Sequence, residues 1–197
     1  GFESVEPGGQ RVLVALDVSG SMALSGVAGS SLTAREAAAA MALVTLATES
    51  EAHVVGFTAG LPGAWRSGHG VRGYEVGISP LPLSPRQRLG DAVASVANLP
   101  FGGTDCAAPM LYALERGLMV DAFVVYTDSE TWAGDVQPVE ALRRYRQATG
   151  IPARLVVVGL VSNGFSIADP TDAGMLDVVG FDAAAPALIA DFLREPL

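Results

Sequence analysis

Asp17-Val18-Ser19-Gly20-Ser21 sets a carboxylate and two hydroxyls at alternate positions of one short string. Two later strings add oxygens of the same kind, Gly102-Gly103-Thr104-Asp105 and Thr127-Asp128-Ser129-Glu130. Drawn together, Asp17 and Asp128 would supply carboxylates, and Ser19, Ser21 and Thr104 hydroxyls. Such an all-oxygen set suits a hard divalent cation such as Mg²⁺ or Mn²⁺; Mg²⁺ takes octahedral oxygen ligation at about 2.0–2.1 Å and keeps several waters. Two carboxylates at most neutralise a divalent ion, which then stays electrophilic toward an anion from outside. Each string also has a plainer reading. Ser19 and Ser21 alone would cap the loop after a strand, and Asp105 reads as the N-cap of a helix starting near Ala107. Glu130 is a further candidate, for holding a metal-bound water.

Whether the three strings meet depends on the elements that carry them. Residues 12–16 form a continuous apolar run ending at Asp17, as in a strand buried on both faces. Segments 53–57, 122–126, 154–161 and 176–181 read alike, rich in Val or aromatic residues and bounded by turn formers. Segment 71–78 alternates less cleanly and is expected as an edge strand, while 61–70, rich in Gly and Pro, is expected as a loop. Helical patterns cover 34–49, 84–97, 107–116, 138–149 and 184–194. Thr33 and Glu36 form a capping box, Ser84-Pro85 reads as a helix start, and Gly150 with Pro152 stops the fourth helix. The first helix is apolar nearly all round and is expected to be buried. Strand and helix alternate, which implies an α/β fold: a doubly wound, mostly parallel six-stranded sheet with helices on both faces, in the Rossmann-like manner. The carboxyl edge of such a sheet, where all three strings stand, is its ligand-binding edge.

Composition removes several alternatives. The 197 residues are 50% hydrophobic and 17% charged, which supports one buried core and excludes intrinsic disorder. The longest apolar stretch, 37–46, is interrupted by Thr45 and falls short of the ~18 residues of a membrane helix. A net charge of −9 argues against broad attraction to nucleic acid or anionic membrane, so an anionic partner must be captured at one point. The single Cys106 makes no internal disulfide and reads as a small packing residue. His53 and His69 have no second ligand at metal spacing. Arg143, Arg144 and Arg146 form the one basic cluster, which reads as a solvated helix face. The amino terminus lacks the pattern of a signal peptide and has no start Met, so a processed chain or a piece of a longer protein is expected.

At Asp17, Ser19, Ser21, Thr104 and Asp128 the sequence resembles a von Willebrand factor A-type domain. The metal-ion-dependent adhesion site of that family combines an Asp-x-Ser-x-Ser string with a Thr and an Asp from later loops. The five match in identity, order and loop placement. A narrower resemblance covers almost the whole chain. Val5-Glu6-Pro7, Arg35 to Met41, Gly103 to Cys106, Tyr126 to Trp132 and Ser162 to Asp169 look like the C-terminal domain of Ro autoantigen-type RNA-binding proteins. That resemblance implies a single A-type domain over 1–197, the C-terminal part of a cytoplasmic ribonucleoprotein whose ring of helical repeats binds Y RNA and misfolded RNA. It implies Mg²⁺ or Mn²⁺ at the five residues, with an acidic protein side chain or an RNA phosphate as partner, no membrane contact and a monomeric domain. Ser129 and Glu130 depart from the Gly that often follows the last Asp in other A-type domains but suit the Ro-like pattern.

Enzyme readings find less support. There is no Gly-x-Gly-x-x-Gly after the first strand, no Gly-x-Ser-x-Gly, and no Walker-type Lys, because all 12 basic residues are Arg. An aspartyl phosphatase would use Asp17 as nucleophile, but its usual acid two residues on is Ser19 here. A binding domain rather than an enzyme is expected, with a protein-interaction module unrelated to RNA as the alternative.

Overall fold

Val12, Val14 and Leu16 pack into one apolar cluster and Leu13 and Ala15 into another, so the unbroken run at 12–16 reflects two covered faces. The computed structural model describes residues 9–27, 30–49, 51–57, 64–66, 76–97, 99–100, 103–128, 134–161, 166–182 and 184–196. Its strands are β1 (Arg11–Asp17), β2 (Glu51–Phe57), β3 (Trp65–Arg66), β4 (Gly77–Pro80), β5 (Ala122–Thr127), β6 (Arg154–Gly159) and β7 (Met175–Val179). Its helices are α1 (Gly20–Leu24), α2 (Ala34–Thr48), α3 (Leu89–Ala97), α4 (Ala108–Arg116), α5 (Pro138–Thr149) and α6 (Ala185–Arg194).

The strands form one sheet in the order β3-β4-β2-β1-β5-β6-β7. The pairings among β2, β1, β5, β6 and β7 are parallel; β4 runs antiparallel to β2 and β3 to β4. Buried residues of α1, α2, α3 and α6 join the cluster on one face, and those of α4 and α5 the other. The sequence therefore specifies the class correctly, a doubly wound and mostly parallel sheet covered on both sides. Besides the unexpected five-residue α1 and strand ends moved by one or two residues, three details differ. The sheet has seven strands rather than six, because Trp65–Arg66, inside the expected loop, adds a two-residue strand too short to show periodicity. Trp65 is buried there, its Nε1 donating to Glu115 Oε2 at 2.5 Å and its ring edge-on to Tyr112. Of the segment expected as an edge, 76–78 are described and 71–75 are not; its strand, β4, begins at Gly77 and lies inside β3. The third helix starts at Leu89 rather than at 84. The Ser84-Pro85 signal makes an isolated turn instead, in which the Gln87 N–H donates to the Ser84 carbonyl and the Ser84 N–H to Gln87 Oε1.

Other boundaries follow their local chemistry. Thr33 and Glu36 form the reciprocal capping box, which fixes the start of α2. The alanines at 37–39 are buried, and their small side chains let α2 lie close to the sheet. Helices α4 and α5 stop at Gly117 (φ 64°) and Gly150 (φ 72°), left-handed positions that glycine adopts without a Cβ penalty. Arg11 forks onto Asp121 at 2.8 and 2.6 Å, and the Arg11 N–H donates to the same carboxylate.

The Tyr145 hydroxyl accepts the buried Val120 N–H and donates to the Leu118 carbonyl, each at 2.7 Å. Tyr145→Phe orphans that N–H and is expected to cost about 1–3 kcal/mol, read from a lower urea midpoint at unchanged slope. The hydrogen bonds from Arg11 hold the Asp121 carboxyl below its usual range, so its contribution is present above the unfolded value of about 3.9 and is lost as the pH falls through the depressed native value. Urea midpoints of wild type and Asp121→Asn should therefore differ at neutral pH and converge in acid.

Candidate metal centre

The chain leaves β1 on one side for β2 and later returns on its other side as β5. The carboxyl end of β1 is thus the point where the winding reverses, which opens a crevice between the loops that follow β1 and β5. Asp17 is the last residue of β1, and Thr127, the last of β5, immediately precedes Asp128. Thr104 stands in the segment that leads into α4.

Asp17 and Thr104 are both 0% exposed. One Asp17 oxygen, Oδ1, accepts the Ser19 N–H at 2.8 Å; the other, Oδ2, accepts the hydroxyls of Thr104 at 3.0 Å and Thr127 at 2.8 Å. The Ser19 and Ser21 hydroxyls lie 3.0 Å apart, and Ser21 donates to Asp128 Oδ1 at 3.2 Å. Asp17, Ser19, Ser21, Thr104 and Asp128 are therefore joined in one hydrogen-bonded network, side chain to side chain except between Asp17 and Ser19, where the Ser19 main-chain N–H makes the link. Burial pushes the Asp17 carboxyl up and the charge of Asp128 adds to the rise, while the Ser19 and Thr127 hydrogen bonds pull it down. A buried carboxylate held near a second one is a site that a cation would relieve. Among the described residues no three His, Cys, Asp or Glu side chains group as metal ligands, so the candidate rests on its hydroxyls as much as on its two carboxylates. The donor set fits a hard divalent cation.

Three participants had no signal of their own in the sequence. Thr127 lies in the Thr127-Asp128-Ser129-Glu130 string, where Asp128 carries the stronger signal. Ser25, which donates to Asp128 Oδ2 at 3.3 Å, lies one helical turn beyond Ser21, a spacing visible only once α1 is known. Arg35 sends its guanidinium to the Val18 and Ser19 carbonyls at 2.6 and 3.1 Å; an Arg in the first turn of a helix ordinarily reads as exposed.

The remaining candidates fall into structural places. Asp105 accepts the Ala107 N–H at 2.9 Å in the turn before α4, whose N-cap is Ala107 rather than the expected Asp105, and burial raises its carboxyl to about 6. Cys106 is buried in the core. Arg143 and Arg144 pair with Glu140, and Arg146 with Asp172, so the basic cluster is taken up by acids. His53 is exposed on β2. His69, Ser129 and Glu130, and with the last the expected held water, lie outside the described residues. No described helix is long and apolar enough to cross a membrane.

Comparison with known proteins agrees with the fold and narrows the family. The family model described as "Ro60 vWA domain" matches residues 11–193. RNA-binding protein RO60 of Deinococcus radiodurans is 47% identical over 194 residues, covering 98% of this chain and 33% of that protein. RNA-binding protein RO60 of Caenorhabditis elegans is 42% identical over 193 residues, covering 98% of this chain and 27% of that one. The crystal structure of the Deinococcus radiodurans RO (RSR) protein superposes with a TM-score of 0.83 at 47% identity, over 98% of this chain and 36% of the other. The chain thus spans about a third of the length of the relatives it matches. The resemblance seen in the motif strings extends to the whole sheet and its helices, and the chain belongs to the Ro60 von Willebrand factor A domain family.

Proposed function

We propose that this chain is a metal-dependent binding domain of a Ro-like RNA-binding protein. Asp17, Ser19, Ser21, Thr104 and Asp128 hold Mg²⁺ or Mn²⁺, directly or through water. The observation that carries this reading is the gathering of these five residues into one hydrogen-bonded network, the Ser19 main-chain N–H included, at the reversal point of the sheet. When bound, the cation supplies an electrophilic position for a single anionic group, a partner's carboxylate or a phosphate oxygen. The residues do the rest. Asp17 and Asp128 together offset at most the charge of the ion, and the neutral hydroxyls add ligation without adding charge. The net charge of −9 confines any anion to that one point.

The names of the relatives support an RNA partner for the longer protein of which this domain is a part. In this reading the rest of that protein binds Y RNA and misfolded RNA in the cytoplasm, and the present domain contributes the metal-dependent contact. Binding rather than catalysis is favoured by Asp17 itself. Both its oxygens are engaged and it has no exposed surface, a poor arrangement for a nucleophile.

Calorimetric titration of chelator-stripped protein should give about one Mg²⁺ or Mn²⁺ per chain. Asp17→Ala and the double variant Ser19→Ala/Ser21→Ala should lose that binding while keeping the wild-type circular dichroism spectrum. Saturating Mg²⁺ should also raise the unfolding temperature, because an ion bound only to the native state adds RT ln(1 + [L]/Kd) of stability. No binding in wild type, or binding unchanged in the variants, would sink the reading. Turnover of a phosphomonoester that disappears in Asp17→Ala would replace it with a phosphatase.

A further inference from the structure

Arg35 occupies a place that local rules disfavour. It lies in the first turn of α2, where a cation meets the positive end of the helix dipole, and it is only 4% exposed. The Thr33–Glu36 capping box fixes that turn, and the Ala34 N–H donates to the Ser25 carbonyl at 2.9 Å, so the helix start is anchored to the loop that follows α1. From there Nη2 reaches the Val18 and Ser19 carbonyls at 2.6 and 3.1 Å, while Nη1 reaches the Ala97 carbonyl at the end of α3 at 2.9 Å. The Ser19 backbone is consequently held from both sides. Its N–H goes to Asp17 Oδ1 at 2.8 Å and its carbonyl to Arg35. With both ends of Ser19 fixed its Cβ is fixed, and from there its hydroxyl lies 3.0 Å from that of Ser21.

We infer that Arg35 is a positioning residue for the cation site: its guanidinium clamps the Val18–Ser19 backbone against the end of α3 and so sets the Ser19 and Ser21 hydroxyls for ligation. The inference rests on the metal-binding reading above. The planar fork matters as much as the charge. It spans carbonyls on two separate elements, which a single ammonium on a flexible stem cannot reproduce. Residues that orient metal ligands typically account for 10–100-fold in affinity.

The test is Mn²⁺ affinity by calorimetry, with the paramagnetic resonance spectrum at saturating Mn²⁺, for wild type, Arg35→Lys and Arg35→Met. The clamp predicts binding about 10–100-fold weaker in both variants, and a changed Mn²⁺ spectrum at full occupancy, which a loss of global stability alone would not produce. A role through charge alone predicts the opposite sign for Arg35→Met, because removing a cation near Asp17 favours the incoming ion. Arg35→Lys keeps the charge and serves where Arg35→Met fails to fold. Wild-type affinity and an unchanged spectrum in folded Arg35→Lys, or tighter binding in Arg35→Met, would overturn the inference and leave the metal site standing. Absence of Mn²⁺ binding in wild type would overturn both.

Discussion

A carboxylate with no exposed surface at the end of the central strand needs compensation, since burying an ionised group without partners costs several kcal/mol. Asp17 meets that requirement with the Ser19 N–H and the hydroxyls of Thr104 and Thr127. Each of these donors comes from a different segment, so satisfying one side chain fixes the relative placement of the loop after β1, the lead-in to α4 and the end of β5. Dipoles alone leave the charge in place, and burial still raises the Asp17 carboxyl. On the metal-binding reading proposed above, a hard cation would offset that charge where an apolar replacement would not.

The rest of the fold supplies rigidity around that point. Strands β1, β5 and β6 carry buried side chains at nearly every position, and helices cover both faces. On the far side of the site loop, the capping box holds the helix that carries Arg35. Charge elsewhere is paired locally. Arg143 and Arg144 share Glu140, Arg146 meets Asp172 and Arg11 meets Asp121. The exposed pairs on Glu140 add little to stability, but with the part-buried Arg146–Asp172 pair they offset the charge of the cluster at 143–146. With −9 overall, that concentrates interest in anions at the single edge of the sheet.

Much of this was legible in the residues. The run at 12–16 gave β1, the 138–149 pattern gave α5 to the residue, and Gly150 ends that helix in the left-handed conformation its position suggests. The five proposed ligands were identifiable by type and spacing; sheet topology brings the ends of β1 and β5 together, while Thr104, which lies between α3 and α4, is placed by its hydrogen bond to Asp17. What the sequence concealed depends on tertiary context. Trp65–Arg66 is a strand only because β4 pairs with it, and α1 is five residues of Gly, Ser, Met, Ala and Leu with too little pattern to declare a helix. Ser84-Pro85 carries a real helix-start signal, but the helix begins only at Leu89. Arg35 is the clearest case, since a buried guanidinium bound to main-chain carbonyls has no sequence signature at all: carbonyls are the same in every residue.

Anomalous diffraction from a crystal of chelator-stripped protein soaked in MnCl₂ tests most directly whether a cation enters at this edge and is held by these side chains. On the metal-binding reading one strong manganese peak is expected, enclosed by the oxygens of Asp17, Ser19, Ser21, Thr104 and Asp128. Full-occupancy manganese elsewhere on this acidic chain with none at that edge would contradict it.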